Sequence, residues 1–374
     1  MMRLPPTELP AAAESLRREV RDFLDAERRA STFVPQCDSW VTGHSPEFSR
    51  KLGERGWIGM TWPKRYGGHE RSSLERYVVI EELLAAGAPV GAHWAADRQV
   101  GPSLLHFGTE TQRQNFLPRI ARGELCVAIG LSETEAGSDL ASLRSRAHRI
   151  PGGWRLDGAK VWTSYAHVAQ YGIFLCRTAS SEGNRHSGLS QFIVDMKSPG
   201  VAVQPIISMD GQHHFNEVRL EGVDVADDMV LGTVGQGWSQ ITAELAFERS
   251  GPERFLSTLP LLRAFYGESP SDATAEAVRM LARLWTIRRL SLAVAGQLDA
   301  GVAPNVEAAL VKDLGTRFER SVIDFVRDAR TARVSDGEFD RLLAQATLSN
   351  PGATLRGGTT EVLRGVVARE LGLR

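Results

Sequence analysis

Apolar positions recur every three to four residues in the first third of the chain, alternate in short runs in the middle, and then return to the helical period. Within residues 11–30, Leu16, Val20, Phe23 and Leu24 fall on one helical face among charged residues. This spacing predicts an amphipathic helix that packs through one face.

Residues typical of helix ends punctuate the same region. Ser45 directly before Pro46 predicts an N-cap with proline at the first helical position. Capping-box pairs and terminating glycines predict two further helices: Ser72 with Glu75 before Gly87, and Thr109 with Gln112 before Gly123. We therefore expect an N-terminal helical domain over residues 1–125.

The middle of the chain consists of short runs rich in β-branched and aromatic residues. They are CVAIGL, GWRLDG, YGIFLCRT, QFIVD, VAVQPII and NEVRLEGV, separated by turn signals such as Pro199-Gly200. A small antiparallel β sheet or barrel is predicted over residues 126–232.

The C-terminal part of the chain returns to the helical period. Residues 271–300 and 305–333 are each long enough to span a bundle, which predicts a C-terminal four-helix-type bundle over residues 233–374. The expected fold is mainly α with a central β domain.

Composition narrows the function classes. The 374 residues carry a net charge of −1, which disfavours nucleic acid as the main partner. The three cysteines, Cys37, Cys126 and Cys176, are far apart and predict buried free thiols in a reducing compartment. The sequence shows neither a signal peptide nor an apolar run long enough to span a membrane, which favours a cytoplasmic protein.

Two motifs offer candidate binding chemistry. In LSETEAGSD (residues 131–139), Gly137 allows backbone amides and the Ser132 and Ser138 hydroxyls to surround a polar ligand, although a capped turn without a ligand explains it equally well. In KVWTS (residues 160–164), Trp162 and Ser164 suit a flat aromatic ligand, although core packing is the alternative.

In this order the two motifs resemble the T-E-P-x-A-G-S-D and W-I-T patterns of the acyl-CoA dehydrogenase family. Further stretches look like family landmarks along nearly the whole chain: WPKRYGG, FGTETQRQNFLPRIARGE, VLGTVGQGW and GGTTEVLRGVVAREL. The resemblance implies an FAD cofactor and an acyl-CoA substrate. The implied FAD contacts are Leu131, Ser132, Gly137, Trp162, Ser164, Thr359 and Glu361, and the implied substrate contacts are Ser138 and Arg249.

The resemblance also implies a catalytic base. Many family members carry it as the Glu of Y-E-G-T near the C-terminus, where this chain has Gly357. Isovaleryl- and long-chain acyl-CoA dehydrogenases place an alternative base where this chain has Glu248, in ITAELAFERSG. Glu248 is therefore the expected base, with Glu244 one turn earlier as the competitor. The implied reaction converts an acyl-CoA to a trans-2-enoyl-CoA and passes electrons to an electron-transfer flavoprotein.

Two family motifs that act across the subunit interface are altered. The nearest match to R-x-Q-F-G begins at Arg263 and ends at Gly267, and Q-x-x-G-G-x-G has no counterpart in VRDARTARVSDGEFDR. The chain thus resembles the heteromeric dehydrogenases of bacterial sterol side-chain breakdown, and we expect a homo- or heterotetramer, with a related chain as the favoured partner. Alternative functions are a non-catalytic or half-site subunit, and a flavin monooxygenase on the same fold.

Other patterns carry less chemistry. His213 and His214 are adjacent, and on a strand they would point to opposite faces, so no metal site is predicted. The glycines of residues 232–237 are in the wrong order for a dinucleotide fingerprint and favour a joint between domains.

Overall fold

Helices precede and follow an eight-stranded sheet, which confirms the predicted mainly α fold with a central β domain. The computed structural model describes residues 3–180, 184–248, 251–268, 275–329 and 337–373. Its helices are α1 (Ala11–Arg29), α2 (Ser39–Thr42), α3 (Pro46–Glu54), α4 (Ser73–Ala85), α5 (Gly91–Ala95), α6 (Gly101–Phe107), α7 (Glu110–Ala121), α8 (Gly237–Glu248), α9 (Leu259–Glu268), α10 (Ala275–Asp299), α11 (Asn305–Ala329), α12 (Gly337–Ala353) and α13 (Thr360–Glu370). None of these helices is both long enough and apolar enough to cross a membrane.

The predicted helix ends are confirmed. Ser45 caps α3 through its side chain, with Pro46 as the first helical residue. The capping boxes of α4 and α7 form in full, because each cap side chain accepts from the third helical amide and the third side chain accepts from the cap amide. Gly87 and Gly123 follow these two helices with φ of 64° and 68°, the left-handed backbone that glycine adopts without strain.

The sheet contains all six predicted runs. Its strands are β1 (Val127–Gly130), β2 (Arg146–Ile150), β3 (Gly153–Lys160), β4 (Tyr171–Arg177), β5 (Leu189–Asp195), β6 (Val201–Ile206), β7 (Phe215–Ala226) and β8 (Val230–Leu231). The strand order is β6-β7-β3-β2-β4-β5-β8, with β1 paired to β4 in parallel. A single residue pair between β2 and β4 is also parallel, and the other pairings are antiparallel.

The sequence indicated neither β8, which has only two residues, nor β2. In β2, four of the five residues are arginine, histidine or alanine, and within the strand only its second residue, Ala147, is buried. It therefore lacks the alternating apolar pattern that predicts a strand. Antiparallel hydrogen bonding to β3, rather than burial of its own side chains, holds this segment as a strand.

The chain divides into two compact units. The first comprises Met1–His44, Arg71–Val90 and Ala246–Arg374, and the second comprises Ser45–Glu70 and Gly91–Leu245. The predicted division at residues 125 and 232 stays a prediction.

Helix packing builds the first unit. In it α1 packs on α4, α10 packs on α4 and α11, and α13 packs on α11. Buried charges cross between these helices, since the Arg17 guanidinium on α1 donates to the carboxylates of Glu81 and Glu82 on α4. Arg288 on α10 binds Glu81 through two further hydrogen bonds.

The second unit has the sheet as its centre. The larger cluster of buried side chains includes Trp154, Phe174, Phe192 and Val218 from β3, β4, β5 and β7. A smaller cluster surrounds Leu175 and packs against Leu131, the first residue of the LSETEAGSD motif.

Candidate functional site

The second unit brings the two sequence motifs side by side. The hydroxyl motif (residues 131–139) directly follows β1, and the tryptophan turn (residues 161–165) directly follows β3. The backbone amide of Val161 donates to the Ser132 carbonyl at 2.9 Å. Leu131, Ser132 and Ser164 are half-buried. Four of the predicted cofactor contacts, Leu131, Ser132, Trp162 and Ser164, therefore belong to two segments joined by a hydrogen bond.

A buried ion pair reinforces this junction. Lys160, the last residue of β3, is fully buried, and its Nζ lies 2.7 Å from Glu133 Oε1 and 3.3 Å from the Leu131 carbonyl. The Glu133 carboxylate also accepts from the amides of Arg144 and Ser145, at 2.6 and 2.9 Å. Burial by itself raises the pKa of Glu133, but the Lys160 charge and the hydrogen bonds lower it on balance. Glu133 is thus held as a carboxylate that fastens the hydroxyl motif to β3.

Trp162 stands out of the tryptophan turn as an exposed ring. Its side chain is 58% exposed and its φ is 59°, a left-handed backbone that is strained for a bulky residue. Its ring meets that of Phe215, at the start of β7, edge to face with centroids 5.6 Å apart. An exposed indole held in a strained conformation offers a flat wall for a planar ligand.

Neighbouring residues hold the tryptophan turn from behind. Asn216 is fully buried, donates from Nδ2 to the Thr163 carbonyl at 3.0 Å and accepts the Thr163 amide through its own carbonyl. His213 Nε2 lies 2.8 Å from Asn216 Oδ1, and the His213 ring stacks on His167 at 4.0 Å. His213 and His214 precede β7 rather than lying on it. His213 supports the tryptophan turn through its contact with Asn216.

The end of the hydroxyl motif faces open space. Gly137 does not adopt a left-handed backbone, and a Cβ placed on it meets no atom within 4 Å. The local backbone therefore does not require a glycine at residue 137, in contrast to the prediction. Ser138 and Asp139 beside it are exposed, so the Ser138 hydroxyl is accessible to a ligand.

The first unit contains the other predicted cofactor contacts, Thr359 and Glu361. Thr359 caps α13, and its Oγ1 accepts the Val362 amide at 3.3 Å, so one of the free amides of this helix is already used. Glu361 is exposed in the first turn. Gly357 and Gly358 before them have φ of 62° and 93°, both in the left-handed region. We refer to residues 356–359 as the glycine turn.

Buried charges hold the glycine turn on two sides. Arg356 binds the Asp38 carboxylate with both terminal nitrogens, at 2.7 and 3.1 Å. The guanidinium groups of Arg356 and Arg254 each lie over the Trp40 ring, 5.0 Å from its centroid. On the other side, the fully buried Lys312 donates from Nζ to the Gly358 carbonyl at 2.6 Å.

The predicted base is described only through its backbone. Glu248 is the last residue of α8, and its side chain and that of Glu244 lie outside the described residues. Arg249 lies outside them entirely. Arg263, the nearest match to the interface arginine, lies on α9 and donates to the Ala85 carbonyl at 3.1 Å within its own unit.

Comparison with known proteins decides the family. The models of the acyl-CoA dehydrogenase N-terminal and middle domains match residues 10–124 and 128–223. The chain belongs to the acyl-CoA dehydrogenase family. Acyl-CoA dehydrogenase FadE29 of Mycobacterium tuberculosis is 35% identical over 347 residues, 87% of this chain and 88% of that protein. The resemblance of the motifs is thereby confirmed, and the protein is an oxidoreductase.

Two solved structures share the fold over nearly the whole chain. The Tcur3481-Tcur3483 steroid ACAD is 30% identical, with a TM-score of 0.83 over 98% of this chain and 99% of that one. The ChsE4-ChsE5 complex from Mycobacterium tuberculosis is 26% identical, with a TM-score of 0.82 over 99% of both chains.

Membership of the acyl-CoA dehydrogenase family supports a flavin cofactor, and the second unit fits one. Beside the exposed Trp162 ring, the Thr163 hydroxyl is buried and has no hydrogen-bond partner among the residues that the structure describes. A buried polar group without a partner is costly, and a polar edge of a flat ligand resolves that cost.

The residues that support the candidate site were not found from the sequence. The available signal for the Lys160–Glu133 pair was a lysine at a position that continues the buried face of β3, because a lysine is fully buried only when it is paired. No comparable local signal marks Asp38, Lys312 or Asn216 as supports.

Proposed function

We propose that the protein uses FAD to oxidise an acyl-CoA thioester to the trans-2-enoyl-CoA, and passes the electrons to an electron-transfer flavoprotein. The observation that carries the proposal is the tryptophan turn: an exposed, strained Trp162 beside the half-buried Ser164 and the hydroxyl motif. Strain of this kind is retained where a ligand uses it.

The residues of the chain have separate tasks in this reaction. Bound FAD would accept the hydride from the substrate β-carbon. Leu131, Ser132, Trp162 and Ser164 would hold its ring, while Gly137 leaves the approach open. Thr359 and Glu361 would place the α13 amides near its polar groups. Ser138 would donate to the acyl-CoA, and Arg249 would position its thioester end.

Glu248 would remove the proton from the substrate α-carbon. The glycine turn supports this assignment, because Gly357 occupies the place of the usual carboxylate and adopts a left-handed backbone that disfavours a side chain. A carboxylate elsewhere in the chain is then required, and Glu248 ends α8 at the position used by some family members. A base in an apolar setting has its pKa raised toward the working pH, which suits proton abstraction.

The decisive experiment compares two glutamates one helical turn apart. Glu248→Gln keeps flavin binding, and its visible spectrum is not bleached by acyl-CoA under anaerobic conditions. Removing the base lowers the rate by about 100-fold or more. Glu244→Gln is the matched control and bleaches at the wild-type rate. Normal bleaching in Glu248→Gln together with loss in Glu244→Gln would move the base to Glu244.

A related chain is the proposed partner. The names of two solved structures that share this fold, at 30% and 26% identity, each pair two components. Arg263, the nearest match to the arginine that reaches a neighbouring flavin, is engaged by the Ala85 carbonyl of its own chain. Both observations favour a heterotetramer in which another chain completes the flavin site.

The same observations favour a second candidate function, a half-site subunit that binds flavin only with its partner. Expression alone and together with a related chain tests it. A colourless protein that turns yellow only on co-expression supports the half-site subunit, whereas a yellow protein that is bleached alone supports the complete enzyme.

A further inference from the structure

Two histidine rings lie stacked behind the tryptophan turn. His167 follows this turn on the way to β4, and His213 lies just before β7. Their ring centroids are 4.0 Å apart and their planes differ by 21°. His167 is exposed and His213 is half-buried, so protons from solvent reach the pair. The second unit therefore has a titratable pair of side chains directly behind the exposed Trp162 ring.

Both rings meet the same amide side chain. His213 Nε2 lies 2.8 Å from Asn216 Oδ1, and the Asn216 side chain also forms a hydrogen bond with His167. Asn216 Nδ2 donates to the Thr163 carbonyl at 3.0 Å, which leaves Oδ1 to accept from the imidazoles. Thr163 directly follows Trp162. The two rings thus reach the strained residue through one buried asparagine.

The charge on the pair controls whether the rings stay stacked. Neutral imidazoles stack without repulsion, whereas two imidazolium ions at this spacing repel each other. Desolvation lowers the pKa of His167, the charge of His213 lowers it further, and the hydrogen bond with Asn216 opposes both. Full protonation therefore favours rings that separate, and a separated His213 no longer holds Asn216.

The segments around the pair, residues 163–170 and 208–217, carry four other titratable side chains, each with a neighbour of its own. They are Tyr165, 6.4 Å from His167 between ring centroids, His214, packed on Phe215, Asp210, bound by the Gln212 amide, and Glu217, paired with Arg219. The charge that lowers the pKa of His167 comes from His213. A proton taken up by one ring is thus felt mainly by the other.

We propose that His167 and His213 are positioning residues of the flavin site: stacked beside Asn216, they hold Trp162 in its left-handed conformation and so set the affinity for flavin. The inference rests on the proposed function, since it takes Trp162 as a wall of the flavin site. It adds a pH dependence to that site. Flavin is held while the rings are neutral, and affinity is lost as the pH falls below about 6.5 and the pair becomes doubly charged.

The test changes His213 in two ways and measures the dissociation constant for flavin by fluorescence, with the related chain present if binding requires it. His213→Phe keeps a ring for the stack but removes the donor to Asn216, so the dissociation constant rises about tenfold at about pH 8. His213→Gln keeps a donor without a titratable group and binds flavin as the wild type does.

The pH profile separates positioning from a merely structural role. Between about pH 8 and about pH 5.5, on either side of the ordinary histidine value, the wild type loses roughly tenfold in flavin affinity. His213→Gln keeps its affinity over the same interval. His148→Gln changes an exposed histidine of β2 and is the matched control, with the profile of the wild type.

Histidine-ring NMR of the flavin-free protein gives a readout that needs no ligand. In the wild type, His167 and His213 take up protons in two separated steps, because the first charge opposes the second. In His213→Gln, His167 titrates in one step at a higher pH. Two results overturn the inference: a flavin affinity of His213→Phe equal to that of the wild type, and a loss of affinity at acid pH that persists in His213→Gln.

These measurements require no turnover and so separate the inference from the proposed function. A protein whose flavin affinity depends on His213 but which no acyl-CoA bleaches refutes the proposed reaction and keeps the positioning role. A protein that acyl-CoA bleaches, and that binds flavin equally well in the wild type and in His213→Phe, refutes the positioning role alone. Absence of flavin binding with and without a related chain refutes both.

Discussion

The tryptophan turn and the glycine turn are supported in different ways. The tryptophan turn is fastened by Lys160 and Glu133, which are 27 residues apart and lie in or next to the two recognisable motifs. The glycine turn is fastened by Arg356 and Asp38, which are 318 residues apart and share no motif. A site built from neighbouring segments leaves a pattern in the sequence, whereas a site built from distant buried charges leaves only single residues.

We expect the buried Lys160–Glu133 ion pair beside the tryptophan turn to contribute strongly to the free energy of unfolding. Lys160→Met leaves the buried Glu133 carboxylate without its cation and costs about 3–5 kcal/mol of unfolding free energy. Urea unfolding of the flavin-free protein measures it. Arg155→Ala removes an exposed ion pair in the same sheet and leaves the urea midpoint unchanged. Equal, small changes in both variants would remove the distinction between a buried and an exposed support.

The two units are predicted to respond to pH in opposite directions. In the first unit, burial raises the pKa of Glu319 to about 7, and its carboxylate accepts the Ser257 amide at 2.7 Å. A raised pKa means that stability is greatest below the unfolded value of 4.5 and is lost as the pH rises through about 7. In the second unit, burial lowers the pKa of His93 to about 4, so stability is present above pH 6.5 and is lost as the pH falls through about 4.

Hydrogen exchange resolved by peptide measures the two units separately between pH 4 and 8, after correction for the intrinsic exchange rate. The pH-dependent change in stability that Glu319 or His93 contributes is on the order of 3 kcal/mol. Glu319→Gln flattens the response of α11, and His93→Gln flattens that of α5. A common pH response in both units, unchanged by either substitution, contradicts the assignment.

The smallest expected effect on stability is at Trp162 itself. Trp162→Gly relieves a left-handed backbone and removes a mostly exposed ring, so the unfolding free energy of the flavin-free protein changes by less than about 1 kcal/mol. Flavin affinity nevertheless falls, because the wall of the proposed site is gone. Trp162→Phe retains a ring and loses less affinity. A large loss of stability in Trp162→Gly would show that the ring is structural rather than a ligand wall.

Sequence patterns predicted the elements whose signals are local. The caps at Ser45, Ser72 and Thr109 were found because a capping side chain bonds an amide only two or three residues away. Six strands were found through their own residues, whereas β2 was missed because its pairing partner orders it and β8 because it has only two residues.

The same limit applies to the candidate site. Trp162, Ser132 and Thr359 were located by motif, but the strain at Trp162 and the cap at Thr359 depend on backbone angles that no residue pattern specifies. The Arg356–Asp38 pair could not be predicted, because pairing between residues so far apart depends on the completed fold. The roles of the site residues, Glu248 foremost, stay predictions.

The paired glycines of the glycine turn also bear on how the family diversifies. Two of the four glycine codons, GGA and GGG, become glutamate codons through one nucleotide change, and the other two become aspartate codons, so every glycine codon is one step from a carboxylate at residue 357. At φ of 62° a side chain there costs roughly 1–2 kcal/mol of backbone strain. The left-handed backbone at Gly357 therefore disfavours a glutamate there, although the change needs few nucleotide substitutions. With the base at Glu248 as proposed, this strain disfavours a return of the carboxylate to residue 357.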